Sequence, residues 1–312
     1  MLAGGQGHWR KYMTLPNILK EYNPKLLGYA LGTAETSSPL SGLNVAENGA
    51  LDDELLKQAK SLVRKIRQDH FIDIDNDWKL VNILIGGNDI CNEYCFVDGA
   101  KDTPSGHRKN LEVALDYLQT HLPRTFVNLI HIPNVILLRN MKNVPFVCYM
   151  KQLVLCSCLF GAGERAKAES VSKILQEYWQ VEKIVSELEK YDTDTFTVVL
   201  QPFFLGVEAP RSIPTLFGEA PDLSYFAPDC FHFSQKGNSL GEENIPIYRR
   251  YDRGGEGNIP TCRRYDRQGK ENISTCHRYD RQGEENIPTC SLYYRRAEEN
   301  IPPCHRYDNR GE

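Results

Sequence analysis

The sequence predicts an α/β protein whose mostly parallel sheet is covered by helices on both faces. Short, nearly uniform apolar runs alternate with segments of helical apolar spacing up to about residue 240. The composition is ordinary for a globular protein, with 41% hydrophobic and 25% charged residues among 312. Such alternation is typical of parallel strands joined by crossover helices.

The first elements are a short strand, a helix and a second strand. Residues 26–32 form an apolar run closed by glycine, which predicts a buried strand. The helix begins near Leu51, with Asp52 and Asp53 in its first turn, where the helix dipole favours acidic residues. Its apolar stripe comprises Leu51, Leu55, Ala59, Leu62, Val63 and Ile66. Residues 80–85 then predict a strand that ends at two glycines.

Two further helices and two further strands complete the predicted sheet. Helical spacing of Leu111, Ala114, Tyr117 and Leu118 is followed by a predicted strand at residues 126–132. A long helix over residues 171–188 precedes the last predicted strand, residues 196–200. Because active sites of such sheets gather at the carboxyl ends of the strands, the loops at those ends are the places to search.

Residues 241–312 form a tandem array with a 14-residue period, which separates them from residues 1–240. An Asn-Ile pair recurs on this step, and so do Cys262, Cys276, Cys290 and Cys304. Each unit has about one Ile and one Tyr as sizeable apolar groups, too few to offset the entropy of ordering it. The array is therefore predicted to be disordered. Its Arg–Tyr interleaving leaves a polyanion-binding role open, whereas the close Cys pairs of a zinc site are missing.

Charge and hydropathy exclude several classes of function. With 37 basic and 41 acidic residues the net charge is −4, so no basic field favours nucleic acid as a partner. No apolar run approaches the roughly 18 to 20 residues of a membrane-spanning helix. The first ten residues lack the apolar region of a secretory signal, which predicts a cytoplasmic protein if Met1 is the true start.

Two loops before and after the second strand are candidates for binding an anion. Gly49 precedes the Leu51 helix and could present a backbone N–H to an anion, or could be a turn glycine. Asn88 follows Gly86-Gly87, and its side-chain amide could stabilise an oxyanion. Neither dinucleotide-binding nor Walker spacing follows these glycines, so a nucleotide site is not expected.

A third loop carries Asp229 and His232, three residues apart. A carboxylate at this spacing can bond to the imidazole and fix its tautomer, so that the histidine can act as a general base. The spacing alone is common by chance, and its weight comes from the two loops described before it.

The ordered set Gly49, Gly86-x-Asn88-Asp89 and Asp229-x-x-His232 resembles blocks two, three and five of the GDSL (SGNH) esterase and lipase family. Further runs, such as residues 15–19, 201–204 and 227–234, resemble its phospholipase B branch. The resemblance implies a three-layer, flavodoxin-like α/β hydrolase that cleaves acyl esters of phospholipids or lysophospholipids without a metal or other cofactor. It implies His232 as the base, Asp229 as its orienting group, and Gly49 and Asn88 as oxyanion-hole donors.

The family's nucleophilic serine, in a Gly-Asp-Ser block, has no counterpart among these residues. We therefore expect residues 1–240 to be an N-terminally truncated hydrolase domain, and this chain to be inactive by itself. The alternative is a non-catalytic protein that binds lipid in the retained pocket or interacts through its tail.

The resemblance also implies a membrane surface as a partner and an extracellular or apical cell-surface location. Six cysteines suggest disulfides around the pocket in an oxidising compartment, with connectivity left open: Cys91, Cys95, Cys148, Cys156, Cys158 and Cys230. Reduced, buried thiols are the other possibility.

Overall fold

The structure is a computed structural model that describes residues 4–96, 104–162, 168–207, 212–215, 218–238, 261–265 and 271–275. The chain divides into two compact units, Met1–Tyr251 and Asp252–Glu312. The predicted boundary at residue 240 lies outside the described residues, so it stays a prediction.

The first unit alternates helices and strands. Its helices are α1 (Leu15–Tyr22), α2 (Leu55–Gln68), α3 (Pro104–His121), α4 (Ile136–Asn140), α5 (Phe146–Leu155), α6 (Ser157–Phe160) and α7 (Ala168–Ser186). Its strands are β1 (Lys79–Ile83), β2 (Thr125–Ile130), β3 (Phe196–Gln201), β4 (Ser212–Thr215) and β5 (Gly218–Pro221). Among the described residues, none of the helices is both long and apolar enough to cross a bilayer.

The central sheet is parallel, in the order β1-β2-β3, with Val81, Val127 and Val198 in register. These residues and their neighbours on the same face pack against the apolar stripes of α2, α3 and α7 in one core. The other face is half-buried and carries a polar ladder. Asn128 donates to Asn82 and Gln201 donates to Asn128, each over 2.8 Å. The predicted α/β fold with a parallel sheet is therefore confirmed.

The prediction of a strand at residues 26–32 is wrong. The only ladder contact that the structure describes for this segment is an isolated parallel bridge between Ala30 and Gly4. Gly28 has a φ of +88°, which interrupts the extended backbone. The segment bonds instead to the loop that follows it, since the Leu31 and Leu43 amides pair with the Leu40 and Gly28 carbonyls at 2.7 and 2.8 Å.

The second unit is described only at β6 (Thr261–Tyr265) and β7 (Glu271–Thr275), which pair antiparallel. The rest of the repeat array lies outside the described residues, and its disorder stays a prediction.

Gly86 turns the chain at the end of β1 with a φ of +99°. A Cβ at this position would lie 2.8 Å from Ile132 Cδ1 and 3.0 Å from His107 Cε1, both buried. Close approach and backbone conformation thus both require glycine here.

We expect Gly86→Ala to destabilise the fold by about 2–3 kcal/mol, because the methyl group overpacks a filled site and the left-handed backbone is strained. Urea unfolding measures this change. Gly87→Ala is the matched control, since no atom lies within 4 Å of a Cβ there, and it should cost less than about 0.5 kcal/mol. Equal costs for the two variants would contradict this account.

Candidate active site

One cavity of about 490 Å³ brings together two of the three sequence motifs. Gly86, Gly87 and Asn88 reach it from the end of β1, and His232 reaches it from the loop after β5. Asn88 and His232 thus lie in the wall of the same cavity, at the carboxyl edge of the parallel sheet.

The remaining wall is largely apolar and aromatic. Phe204 stacks on Phe233 with ring centroids 5.7 Å apart, and Phe226 stacks on Phe233 at 6.2 Å. Other apolar lining residues include Leu84, Ile132, Leu137, Leu138, Val207 and Phe231. The size falls within the range of about 300–1,000 Å³ that is usual for small-molecule sites, and the lining suits a hydrocarbon chain.

The loop of residues 226–233 that carries Asp229 and His232 is closed on itself. Phe226 and Phe233 form an antiparallel bridge, and the Ala227 amide donates to the His232 carbonyl over 2.7 Å. Cys230 is left-handed, with a φ of +59°, and forms a disulfide with Cys148 of α5. The loop therefore holds its two polar side chains in a fixed relation.

Asp229 and His232 form the predicted carboxylate–imidazole pair. His232 Nδ1 donates to Asp229 Oδ2 over 2.8 Å, and the amides of Phe231 and His232 donate to Oδ1 over 3.0 Å. Partial burial raises the pKa of Asp229, but these hydrogen bonds outweigh it and hold the pKa below its ordinary value. The carboxylate is thus ionised at neutral pH, and Nε2 of His232 is the atom able to exchange a proton.

Asn88 is held against the turn that carries Gly49. Its Nδ2 donates to the Ala50 carbonyl over 2.9 Å, which uses one of the two amide hydrogens. Ala50 lines the cavity, whereas Gly49 itself is not among the described lining residues. Gly49 has a φ of +75°. The structure thus places the two predicted donors beside each other in adjoining segments.

The buried carboxylate of Asp89 links the Asn88 segment to the segment that follows Gly49. The backbone N–H of Asp52 donates to both oxygens of Asp89, over 3.1 and 3.2 Å. Asp52 begins a 3₁₀ turn that leads into α2, and Asp89 directly follows Asn88. The distance between the end of β1 and the Gly49 turn is therefore set by buried hydrogen bonds.

The Asp52 side chain is itself part of a buried polar network. Its Oδ2 accepts from His107 Nδ1 over 2.8 Å, and its Oδ1 accepts from Asn110 over 2.6 Å. His107 Nε2 lies 3.9 Å from Glu182 Oε1, and the other oxygen of Glu182 accepts from His131 Nδ1 over 2.5 Å. Burial raises the pKa of Glu182, although the hydrogen bond from His131 opposes this shift.

Sequence reasoning missed His107, His131 and Glu182 as parts of the site's support. The sequence did mark Glu182, because it lies four residues after Tyr178 on the apolar stripe of α7, where an acidic residue is not expected. The histidines had none, because their partners come from other elements.

All six cysteines that were expected near the pocket are paired. The bonds are Cys91–Cys156, Cys95–Cys158 and Cys148–Cys230. Cys91 also lines the cavity. Within the described part of the chain, no group of three or more His, Cys, Asp or Glu side chains could hold a metal ion.

The model of the GDSL-like lipase/acylhydrolase family matches residues 4–243. The chain belongs to this family. Among curated proteins it is similar to membrane-associated phospholipase B1 of rat, 39% identical over 239 residues, and of mouse, 38% identical over 240 residues. The human protein of the same name is 37% identical over 244 residues.

These matches cover 75% to 76% of this chain but only 16% of each curated relative. The chain therefore spans about a sixth of the length of the relatives that it matches.

Proposed function

We propose that residues 4–239 supply the base and the oxyanion donors of an acyl ester hydrolase acting on phospholipids or lysophospholipids. The observation that carries the proposal is that His232, which is paired with Asp229, lines the same apolar cavity as Asn88. An acyl chain fits the aromatic wall, and its ester would lie between the imidazole and the amide.

The geometry suits nucleophilic acyl transfer. Nε2 of His232 would take the proton of a serine hydroxyl as that oxygen attacks the ester carbonyl, and Asp229 would stabilise the imidazolium that forms. The remaining amide hydrogen of Asn88 and the N–H of Gly49 would stabilise the developing oxyanion. The imidazolium then protonates the leaving alcohol, and water hydrolyses the acyl-serine.

The nucleophile is absent from the described part of the cavity wall, which contains no serine or threonine and whose one cysteine, Cys91, is in a disulfide. The 312 residues also contain no Gly-Asp-Ser. Within the described sheet β1 is an edge strand. A strand paired to its free edge would end level with Gly86 and Asn88, where a serine could reach the cavity. We therefore propose that the chain alone does not turn over ester.

The test compares the chain with a Ser-extended chain, meaning this chain preceded by a strand that ends in Gly-Asp-Ser. We expect a fluorophosphonate to label only the Ser-extended chain, and only that chain to hydrolyse lysophosphatidylcholine. An extension ending in Gly-Asp-Ala is the matched control and should give neither signal. A folded Ser-extended chain without label or hydrolysis would refute the proposed hydrolase.

A non-catalytic lipid-binding protein is the second candidate, favoured by an apolar cavity whose described wall lacks a nucleophile. It predicts saturable binding of lysophosphatidylcholine by the 312-residue chain, with an affinity that His232→Ala leaves unchanged. Absence of binding would exclude it.

The location that we propose is an extracellular or apical membrane surface. Three disulfides in one domain are typical of oxidising compartments. The curated relatives are named membrane-associated.

A further inference from the structure

Helix α5 has its polarity reversed with respect to an ordinary surface helix. The residues that it buries are Cys148 and Gln152, at 3% and 1% exposure. The residues that it exposes are mainly apolar: Phe146 at 77%, Val147 at 59%, Met150 at 42% and Val154 at 75%. We call these four side chains the α5 face. A contiguous exposed apolar patch of this kind marks an interaction surface.

The α5 face is attached directly to the loop that holds the candidate base. Cys148 is disulfide-bonded to Cys230, and Gln152 donates to the Cys230 carbonyl over 2.9 Å. Lys151 donates to the Pro228 carbonyl over 2.7 Å. Whatever binds the α5 face is thus held at a fixed distance from Asp229 and His232.

A second cavity lies beside the α5 face and shares one lining residue with the first cavity. It has a volume of about 460 Å³ between α4 and α5. Phe146 and Tyr149 of α5 line it, and Leu138 of α4 lines both this cavity and the first one. The two cavities thus adjoin at Leu138, next to the α5 face.

The segment of the chain that carries the α5 face is basic. Residues 117–163 contain no Asp or Glu, although the whole chain is acidic, and they contain Arg124, Arg139, Lys142 and Lys151. Arg139, Lys142 and Lys151 are exposed in or beside α4 and α5. Exposed apolar side chains flanked by cations, with a tyrosine at the margin, are the composition of surfaces that lie in anionic lipid headgroups.

We propose that the α5 face docks on a phospholipid surface, with Phe146, Val147, Met150 and Val154 inserted among the headgroups. The inference rests on the proposed function in one respect: the docked helix would present the 226–233 loop to lipid that enters the cavity. Docking itself requires neither a nucleophile nor turnover, because both contributions to binding lie in the described residues.

The test is co-sedimentation of the 312-residue chain with vesicles of phosphatidylcholine and phosphatidylserine. We expect the combined variant Phe146→Ser, Met150→Gln, Val154→Asn to bind at least about tenfold more weakly, because the apolar area available for insertion is lost. We expect Lys142→Gln to weaken binding only to vesicles that contain phosphatidylserine.

The matched control is Tyr22→Ser with Phe71→Ser, which removes two apolar side chains that are 84% and 83% exposed on other elements. The control should bind vesicles as the unchanged chain does. Thermal unfolding of all variants should be unchanged, since every replaced side chain is exposed.

Three results would overturn the proposal: no binding of the unchanged chain, equal binding by the combined variant, or a dimer of the chain that the combined variant dissociates in the absence of vesicle binding. A separate assay isolates the function. Hydrolysis of a monomeric short-chain lysolipid by the Ser-extended chain should not change in the combined variant. If the Ser-extended chain without these substitutions does not hydrolyse that lysolipid, the proposed hydrolase function is refuted, but the docking proposal is not affected.

Discussion

His232→Ala in the Ser-extended chain is expected to lower kcat for lysophosphatidylcholine by about 10⁴-fold or more. The other carboxylates are occupied: Asp229 lies behind the ring and bonds to Nδ1, and Glu47, which also lines the cavity, is paired with Lys57 over 2.8 Å. Removal of the base alone from a serine triad costs nearly as much as removal of the whole triad. Steady-state kinetics with monomeric substrate measure the effect, and KM should change much less than kcat.

Two companion variants separate this role from a general effect on folding. His70→Ala replaces another exposed histidine, in the turn after α2, and should leave kcat unchanged. Asp229→Asn should lower kcat by about 10⁴-fold, since an amide at this position favours the wrong imidazole tautomer. A His232→Ala enzyme with most of its kcat would show that another group is the base.

Asp52→Ala is expected to destabilise the folded chain by about 3–5 kcal/mol. The carboxylate is buried and accepts hydrogen bonds from His107 and Asn110, and its loss leaves both donors without this partner in the interior. The free energy of unfolding from urea titration measures the change. The backbone N–H of residue 52 still donates to Asp89, so the variant tests the side chain alone.

Asp53→Ala is the matched control for this prediction. Asp53 occupies the same 3₁₀ turn and the same helix N-terminus but is exposed. Its removal should cost less than about 1 kcal/mol, the usual contribution of an acid to a helix dipole. Similar costs for the two variants would mean that the buried network contributes little to stability.

Periodicity predicted most of the fold that positions the site. Apolar spacing correctly located three helices, α2, α3 and α7, and three strands, β1, β2 and β3. Burial of one helix face, or of a whole strand, leaves a repeating apolar pattern along the chain. Residues 26–32 had the same apolar character but do not form a strand. Their apolar character does not lead to a strand because Gly28 is left-handed and because the backbone bonds to the loop at residues 40–43.

The sequence alone determined the α/β class, the family, and the candidate side chains Gly49, Asn88, Asp229 and His232, because these depend on short motifs and on local periodicity. The tertiary structure decided which of them share one cavity, how the six cysteines pair, and that Asp52, His107 and Glu182 form a buried polar network behind the Gly49 and Asn88 segments. The tertiary structure also decided that α5 buries Gln152 and exposes Phe146. The physical reason is that each of these features joins residues far apart in the chain, whose contact depends on packing that no local pattern records.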